Sequence, residues 1–192
     1  DGETLDRWKS EHGDALQRER FTQYLFYRQW RNLHTACAGF GVRLIGDVPI
    51  YVTHDSADVW ANTDYFKLDF HGKPAVVAGV PPDYFSPTGQ RWGNPIYNWD
   101  ALARDGFSWW IRRLEHNLTL FDCVRLDHFR GFAGYWEIPV TEETAVNGAW
   151  VDAPGNALFT ALARRLLSLP LIAEDLGVIT PDVRELQRNL GF

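Results

Sequence analysis

The stretch FDCVRLDHFRG, Phe121–Gly131, decides the fold, because it begins as a strand and ends in a charged cluster closed by glycine. Alternation along the strand places Arg125 and Asp127 on the same face, two rises or roughly 6–7 Å apart. A carboxylate beside a fixed cation stays ionised near neutral pH, as a nucleophilic aspartate must. A plain ion pair at the end of a strand explains the same pattern, so the rest of the chain has to separate the two interpretations.

The composition of the 192 residues is that of an ordinary globular protein, with 45% hydrophobic and 23% charged side chains. The net charge of −6 disfavours nucleic acid as a partner, and no apolar run approaches the roughly 18–20 residues that span a membrane. Two cysteines, Cys37 and Cys123, make no disulfide framework, which predicts a reducing, cytoplasmic location. His34 and Cys37 lack a second pair of ligands, so no metal site and no cofactor is predicted.

Apolar periodicity predicts helices that alternate with short strands. The predicted helices are residues 14–38, 106–119, 155–168 and a last helix that begins at Thr180-Pro181-Asp182. The predicted strands are residues 42–52, 121–127 and 170–176. An apolar stripe of the first helix is expected to pack, and it consists of Phe26, Trp30, Leu33 and Cys37. Because the connections are long crossovers, we expect an α/β fold in which helices cover three parallel strands.

Carboxylates stand at the carboxyl ends of all three predicted strands, namely Asp47, Asp127 and Glu174. This end carries the active site in open α/β sheets and in (β/α)8 barrels. Asp127 and Glu174 are therefore a candidate nucleophile and general acid/base, the pair that glycosidic cleavage requires. A separation of roughly 5–5.5 Å between them would indicate retention of configuration. Asp175 lies on the other face of its strand and is rejected as the acid.

A long excursion, residues 53–104, separates the first two strands and exceeds a plain connector. Its densest part, residues 81–99, combines aromatic side chains with turn residues. Aromatic rings in loops can stack on the apolar faces of sugars, which favours a carbohydrate groove. The alternative is an Ω-like loop packed by its own aromatic residues. A smaller excursion, residues 132–154, contains Trp136 and Trp150.

Four motifs follow one another along the chain. They are GDVPIYVTHDSADVW (46–60), AGVPPDYFSPTGQRWGNPIYNW (78–99), VRLDHFRGF (124–132) and LIAEDLG (171–177). Together they closely resemble the 4-α-glucanotransferases of glycoside hydrolase family 77, the amylomaltases or disproportionating enzymes. The resemblance extends over nearly the whole chain. It implies a (β/α)8 TIM barrel and a retaining mechanism that passes an α-1,4-glucan segment to glucose or a maltodextrin.

The resemblance also implies roles for individual residues. Asp127 matches the nucleophile and Glu174 the general acid/base. Arg125 and Asp47 match residues that bind and orient the sugar near the cleaved bond. His128 matches a position that contacts substrate or orients the acid. The loop that lines the acceptor side corresponds to Tyr84, Phe85, Gln90 and Trp92.

The chain departs from the family pattern at its end. The family uses a third carboxylate, an Asp that follows a His on a later barrel strand, and the chain ends before that strand. Three strands cannot close a barrel, and both sheet edges would lack partners. We therefore expect residues 1–192 to be the central part of a larger catalytic (β/α)8 barrel domain, with about three βα units. Excursion 53–104 would form part of its substrate groove, and the isolated chain would be inactive.

Two other functions are compatible with these residues. An α-amylase-type hydrolase would use the same carboxylates with water as the acceptor. Loop 81–99 would shield the reaction intermediate from water, which favours transfer over hydrolysis. A non-catalytic carbohydrate-binding module or inactive fragment would need the aromatic residues alone. Carboxylates at successive strand ends argue against it for the whole protein but not for the isolated chain.

Overall fold

The computed structural model describes residues 2–166, 168–177 and 179–191. The helices are α1 (Gly2–Glu11), α2 (Gly13–Gly39), α3 (Ala57–Ala61), α4 (Trp99–Arg104), α5 (Ser108–Leu120), α6 (Gly155–Arg165) and α7 (Pro181–Leu190). The strands are β1 (Ile45–Pro49), β2 (Val76–Val80), β3 (Gln90–Pro95), β4 (Cys123–Asp127), β5 (Gly134–Pro139), β6 (Ala149–Asp152) and β7 (Leu171–Ala173). Short 3-10 helices occupy Thr63–Tyr65 and Phe129–Phe132. Over these residues, no helix combines the length and apolar character needed to cross a bilayer.

The chain forms two compact units that divide between Leu44 and Ile45. The first contains α1, which was not predicted, and α2, which confirms the helix predicted at 14–38. Neither helix contains a buried residue, so the expected burial of the apolar stripe is wrong within this unit. Phe26 and Leu33 of the stripe are exposed, because α1 is the only other element of the unit and does not cover them.

The second unit contains the three parallel strands that were predicted, in the order β1-β4-β7. Asp47 pairs with Arg125, and Pro49 pairs with Asp127. The backbone N–H of Glu174 donates to Leu126 O at 3.2 Å, which continues the β4–β7 pairing one residue past β7. The register therefore brings the three predicted carboxylates to one end of the sheet.

The first parallel strand is shorter than the predicted range 42–52. Pro49 has no N–H to donate to a neighbouring strand, and its carbonyl oxygen accepts from Arg113 at 2.8 Å. Arg113 also donates to the carbonyl oxygen of Ile50 at 3.2 Å. Because the carbonyl groups of Pro49 and Ile50 accept hydrogen bonds from a side chain of α5, β1 ends at Pro49.

Only one face of the parallel sheet is covered in this unit. Val48, Val124 and Leu126 point into the hydrophobic core. Burial alternates along β1 and β4, and Ile45 and Ile172 are exposed on the other face. The first strand is therefore buried on one face, because α5, α6 and α7 add their buried residues to a core on that side.

The helices that follow the strands lie close to their predicted bounds. The helix predicted at 106–119 is α5, and the one predicted at 155–168 is α6, which ends at Arg165; residue 167 of that range lies outside the described residues. Thr180 is the N-cap of α7 with an extended backbone, but its hydroxyl makes no capping bond to the helix backbone. The predicted start of α7 is thus confirmed.

Both excursions contain strands and form a second sheet, which corrects their prediction as loops. Its four strands are antiparallel, in the order β3-β2-β5-β6. The first excursion supplies β2 and β3, and the second supplies β5 and β6. Gly79 allows β2 and β3 to approach, since a Cβ there would lie 2.1 Å from the carbonyl oxygen of Gln90. The overall fold is therefore mixed α/β, with one parallel and one antiparallel sheet.

Several aromatic residues of excursion 53–104 belong to the core, which corrects their interpretation as stacking surfaces. The buried ones are Phe66, Tyr97 and Trp99. Tyr97 donates its hydroxyl to the carbonyl oxygen of Ile50 at 2.6 Å, which fastens the excursion to the end of β1. The exposed ones are Trp60, Phe70, Tyr84, Phe85 and Trp92. The excursion is therefore packed by some of its aromatic residues and presents others to solvent.

Candidate active site

Arg125 holds three carboxylates together at the ends of the parallel strands. Its Nη1 donates to both oxygens of Asp47, at 2.7 and 2.8 Å. Its Nη2 donates to Asp127 at 2.8 Å and to Glu174 at 2.9 Å. The hydrogen bond to Asp47 and the three negative charges raise the pKa of Arg125. The prediction that Arg125 and Asp127 share one face of their strand is confirmed by this contact.

The two candidate catalytic carboxylates are close neighbours. Asp127 Oδ1 and Glu174 Oε1 contact the same nitrogen, at 2.8 and 2.9 Å, so they lie less than about 6 Å apart. Retaining glycosidases hold their carboxyl groups roughly 5–5.5 Å apart, and inverting ones roughly 6.5–9.5 Å. The side chain of Glu174 is 14% exposed and that of Asp127 is 41% exposed. Because Arg125 contacts both, it does not by itself distinguish the acid from the nucleophile.

His128 follows Asp127 directly and adopts a left-handed backbone with φ 52°. This turn aims its backbone N–H at Glu174 Oε2, to which it donates at 2.7 Å. Trp92 contacts the imidazole edge to face at 4.8 Å, and ring Nε2 is buried without a hydrogen-bond partner. Burial, together with the nearby Arg130, lowers the pKa of His128 to about 4. The ring is therefore neutral at pH 7, and its Nε2 is buried.

A cleft of about 240 Å³ opens beside these groups. The predicted site residues that line it are Gln90, Trp92, Asp127, His128 and Glu174. Asp83, Trp150 and Leu176 line it as well and had no predicted role. Trp150 was visible in the sequence only as an aromatic residue of an excursion. Its position in the cleft depends on the antiparallel sheet, which the sequence did not reveal.

Tyr84 and Phe85 do not line the cleft, although they were predicted beside Gln90 and Trp92. Their exposed fractions are 96% and 90%, and their rings contact each other edge to face at 5.5 Å. Asp83 holds this tight turn, because its Oδ1 accepts from the N–H groups of Phe85 and Ser86 at 2.9 and 2.7 Å. Both rings therefore project into solvent from a stable turn at the cleft margin.

Asp175 is directed away from the cleft, as alternation predicted. Its Oδ1 accepts from Gln187 at 3.2 Å, and its Oδ2 accepts from Arg184 at 2.8 Å. These hydrogen bonds lower the pKa of Asp175. The residue therefore joins the end of the sheet to α7. No group of three or more His, Cys, Asp or Glu side chains within the described ranges is arranged to hold a metal ion.

A close carboxylate pair at the ends of parallel strands, beside an aromatic cleft, is typical of enzymes that cleave glycosidic bonds with retention. A family model described as 4-alpha-glucanotransferase, glycoside hydrolase family 77, matches residues 1–192. The chain therefore belongs to this family, which confirms the resemblance of its motifs.

Named relatives agree with this membership. The 4-alpha-glucanotransferase of Thermus thermophilus is 56% identical over 96% of the chain, and the chloroplastic/amyloplastic one of Solanum tuberosum is 50% identical over 88%. Amylomaltase from Streptococcus agalactiae in complex with acarbose superposes with a TM-score of 0.96 and 43% identity over 100% of the chain. The chain covers 37%, 29% and 39% of these proteins, so it spans less than two fifths of their length.

Proposed function

We propose that the full-length protein is a 4-α-glucanotransferase that moves an α-1,4-glucan segment to glucose or a maltodextrin. The observation that carries this proposal is the contact of Arg125 with both Asp127 and Glu174, which holds the two carboxylates closer together than an inverting pair. Family membership and the acarbose complex of the streptococcal amylomaltase support an oligosaccharide substrate.

The reaction proceeds in two displacements. Asp127 attacks the anomeric carbon while Glu174 gives its proton to the leaving glycosidic oxygen, which produces a glucosyl ester on Asp127. Glu174, now ionised, takes the proton of an acceptor hydroxyl. That hydroxyl oxygen attacks the anomeric carbon, and the bond to Asp127 breaks. Both steps invert the configuration, so the transferred glucan keeps its α linkage.

The surrounding residues bind and orient the sugar. Arg125 orients Asp127 through a hydrogen bond and, with Asp47, forms hydrogen bonds beside the cleaved linkage. His128 positions Glu174 through its backbone N–H, and its neutral ring packs against Trp92. The acceptor side is formed by Gln90 and Trp92 within the cleft and by Tyr84 and Phe85 beyond it. The last two of these are solvent-exposed, so they contact the glucan at the outer margin of the groove.

We propose further that the parallel sheet is part of a (β/α)8 barrel and that residues 1–192 are the central part of its domain. Exposed Ile45 and Ile172 on the open sheet face suit a barrel interior, and excursion 53–104 suits a wall of the substrate groove. The third family carboxylate would come from another strand, so the isolated chain is expected to be inactive. Unpaired Cys37 and Cys123 support a cytoplasmic location.

The product spectrum from maltotriose tests transfer against the alternatives. We expect the full-length protein to produce glucose together with maltodextrins longer than maltotriose, because an acceptor sugar displaces Asp127 faster than water does. Products that are only shorter would instead show an α-amylase-type hydrolase. Binding of maltodextrin without any products would show a carbohydrate-binding protein. The isolated 192-residue chain is expected to release no glucose from maltotriose. If it does release glucose, and the Asp127→Asn variant of the chain does not, the prediction that the isolated chain is inactive is wrong.

The buried ring of His128 is expected to make stability depend on pH. An unfolded histidine takes up a proton near pH 6.5, and folded His128 does so only near pH 4. Between these values the unfolded state binds more protons, so the free energy of unfolding falls as the pH falls, by up to about 3 kcal/mol. His128→Asn removes this titration, and asparagine tolerates the left-handed backbone.

Denaturant unfolding of the full-length protein at pH 7 and pH 4.5 measures this effect. Wild type is expected to lose more stability between the two values than His128→Asn does. The other charged groups near the ring, Arg130 and Asp127, are common to both proteins and cancel in the comparison. Equal losses would show that His128 is accessible to protons in the folded state.

A further inference from the structure

Trp150 lines the same cleft as Asp127 and Glu174, but none of the family motifs contains it. It lies on β6 directly opposite Trp136 of β5, and the two indoles meet edge to face with centroids 5.3 Å apart. Trp136 is itself fixed, because its Nε1 donates to the carbonyl oxygen of Ala145 at 2.9 Å. The Trp150 ring thus packs against an indole that a hydrogen bond holds in place.

Arg130 covers one face of the Trp150 ring. Its guanidinium carbon lies 3.8 Å from the ring centroid, and the residue is only 6% exposed. Among the described residues, Arg130 has no carboxylate within salt-bridge distance, Nε has no hydrogen-bond partner, and Nη2 reaches only Thr180 Oγ1, at 3.4 Å. The indole face is therefore a principal partner of this buried cation.

The opposite face of Trp150 is the one available to a ligand. The residue is 43% exposed, and Arg130 covers one face, so the exposed area belongs to the other face and the free edge. A flat indole that is backed by a cation and open to a cleft is suited to the apolar face of a sugar ring. Because neither Arg130 nor Trp136 has to move, a sugar meets a ring that is already oriented.

Trp92 and Trp150 stand on the two edge strands of the antiparallel sheet, β3 and β6. Three strand spacings separate these edges, which is about 14 Å. The two indoles thus come from strands at opposite edges of the sheet and line the same cleft. A glucan chain that lies along the cleft can meet one indole with one sugar unit and the other indole with another.

We propose that Trp150 stacks on a glucosyl unit other than the one at Trp92, and that Arg130 is a positioning residue that holds the Trp150 ring in place. The glucosyl identity of the ligand rests on the proposed function. The cleft thereby has two aromatic walls, of which the family motifs reveal only Trp92.

The test uses the full-length protein with Trp150→Phe and Trp150→Leu as a matched pair, since both fill the site but only phenylalanine has a ring that stacks. For transfer from maltotriose, we expect Trp150→Phe to stay within about threefold of wild type in KM. Trp150→Leu is expected to raise KM by roughly 5–30-fold and to change kcat by less than about threefold. Trp60→Ala removes an exposed tryptophan outside the cleft and is the control, with KM unchanged.

Arg130→Lys and Arg130→Gln separate positioning from general structural support. Arg130→Gln is expected to raise KM, because it removes the cation from the ring face. Arg130→Lys keeps a cation over the ring and is expected to have a KM close to that of wild type. The value of kcat is expected to be unchanged in both variants. A purely structural role would lower the unfolding temperature and the active fraction without this rescue of KM. Equal KM values in both Arg130 variants would overturn the positioning role.

Calorimetric binding of acarbose distinguishes failure of this inference from failure of the proposed function. If wild type transfers glucan but Trp150→Leu and Trp150→Phe have the same KM and the same acarbose affinity, the stacking role of Trp150 is overturned and the function stands. If wild type binds acarbose without transferring glucan, and Trp150→Leu alone weakens binding, the stacking role stands and the function is wrong.

The double variant Trp92→Leu/Trp150→Leu tests whether the two indoles bind separate sugar units. The effects of the two substitutions on KM are expected to multiply if the units are separate, and effects that do not multiply would contradict that assignment.

Discussion

Asp127→Asn is expected to abolish glucan transfer by the full-length protein, with a fall in kcat of roughly 10⁴–10⁶-fold. An amide cannot form the glucosyl ester, although its shape matches that of the carboxylate it replaces. Arg125 keeps its hydrogen bonds to Asp47 and Glu174 in the variant, so the cluster and the fold are expected to persist. The initial rate of maltotriose disproportionation and the unfolding temperature together measure this loss.

Chemical rescue is the stricter form of this test. Asp127→Ala leaves room on the face from which the carboxylate would attack, and azide can enter there. With α-glucosyl fluoride as the donor, azide is expected to form a bond to the anomeric carbon as fluoride leaves, which yields the β-glucosyl azide. Asp175→Asn, which removes a carboxylate on the opposite side of the sheet, is the control and should retain transfer. Activity above about 1% of wild type in Asp127→Asn would contradict the assignment of the nucleophile.

Glu174→Gln is expected to lower kcat for maltotriose by roughly 10²–10⁴-fold, because the leaving sugar oxygen then receives no proton. The loss should be much smaller for glucosyl-enzyme formation from α-glucosyl fluoride, since fluoride departs without protonation. Glu174 also accepts from the backbone N–H of His128, and the glutamine carbonyl oxygen can keep that contact. A pre-steady-state burst of fluoride measures the first displacement by itself.

The dependence on the leaving group separates proton donation from sugar binding. If Glu174 only bound the sugar, its replacement would slow maltotriose and glucosyl fluoride by the same factor. Equal losses would therefore contradict the acid role, and a loss confined to maltotriose would support it. The neighbouring Asp175→Asn variant is again the matched control, because Asp175 bonds Arg184 and Gln187 and does not line the cleft.

The parallel sheet and its charged end were predictable because their signals are local. Alternation with a period of two places Arg125 and Asp127 together and sends Asp175 to the other face, and the structure has both features. The helix start at Thr180 is likewise a local signal. The second sheet was missed because turn residues interrupt the segments that form its strands. Each excursion supplies two of these short strands, and none of them has a periodic pattern long enough to predict it.

The sequence by itself determined the order of the parallel strands and helices and the carboxylates that end each strand, because residue periodicity and strand-end position depend only on near neighbours in the chain. The tertiary structure decided which of those groups meet. Arg125 lies 78 residues from Asp47 and 49 from Glu174, and strand register alone brings them together. Trp150 reaches the cleft for the same reason, since β2 of the first excursion pairs with β5 of the second, and β6 with Trp150 pairs with β5.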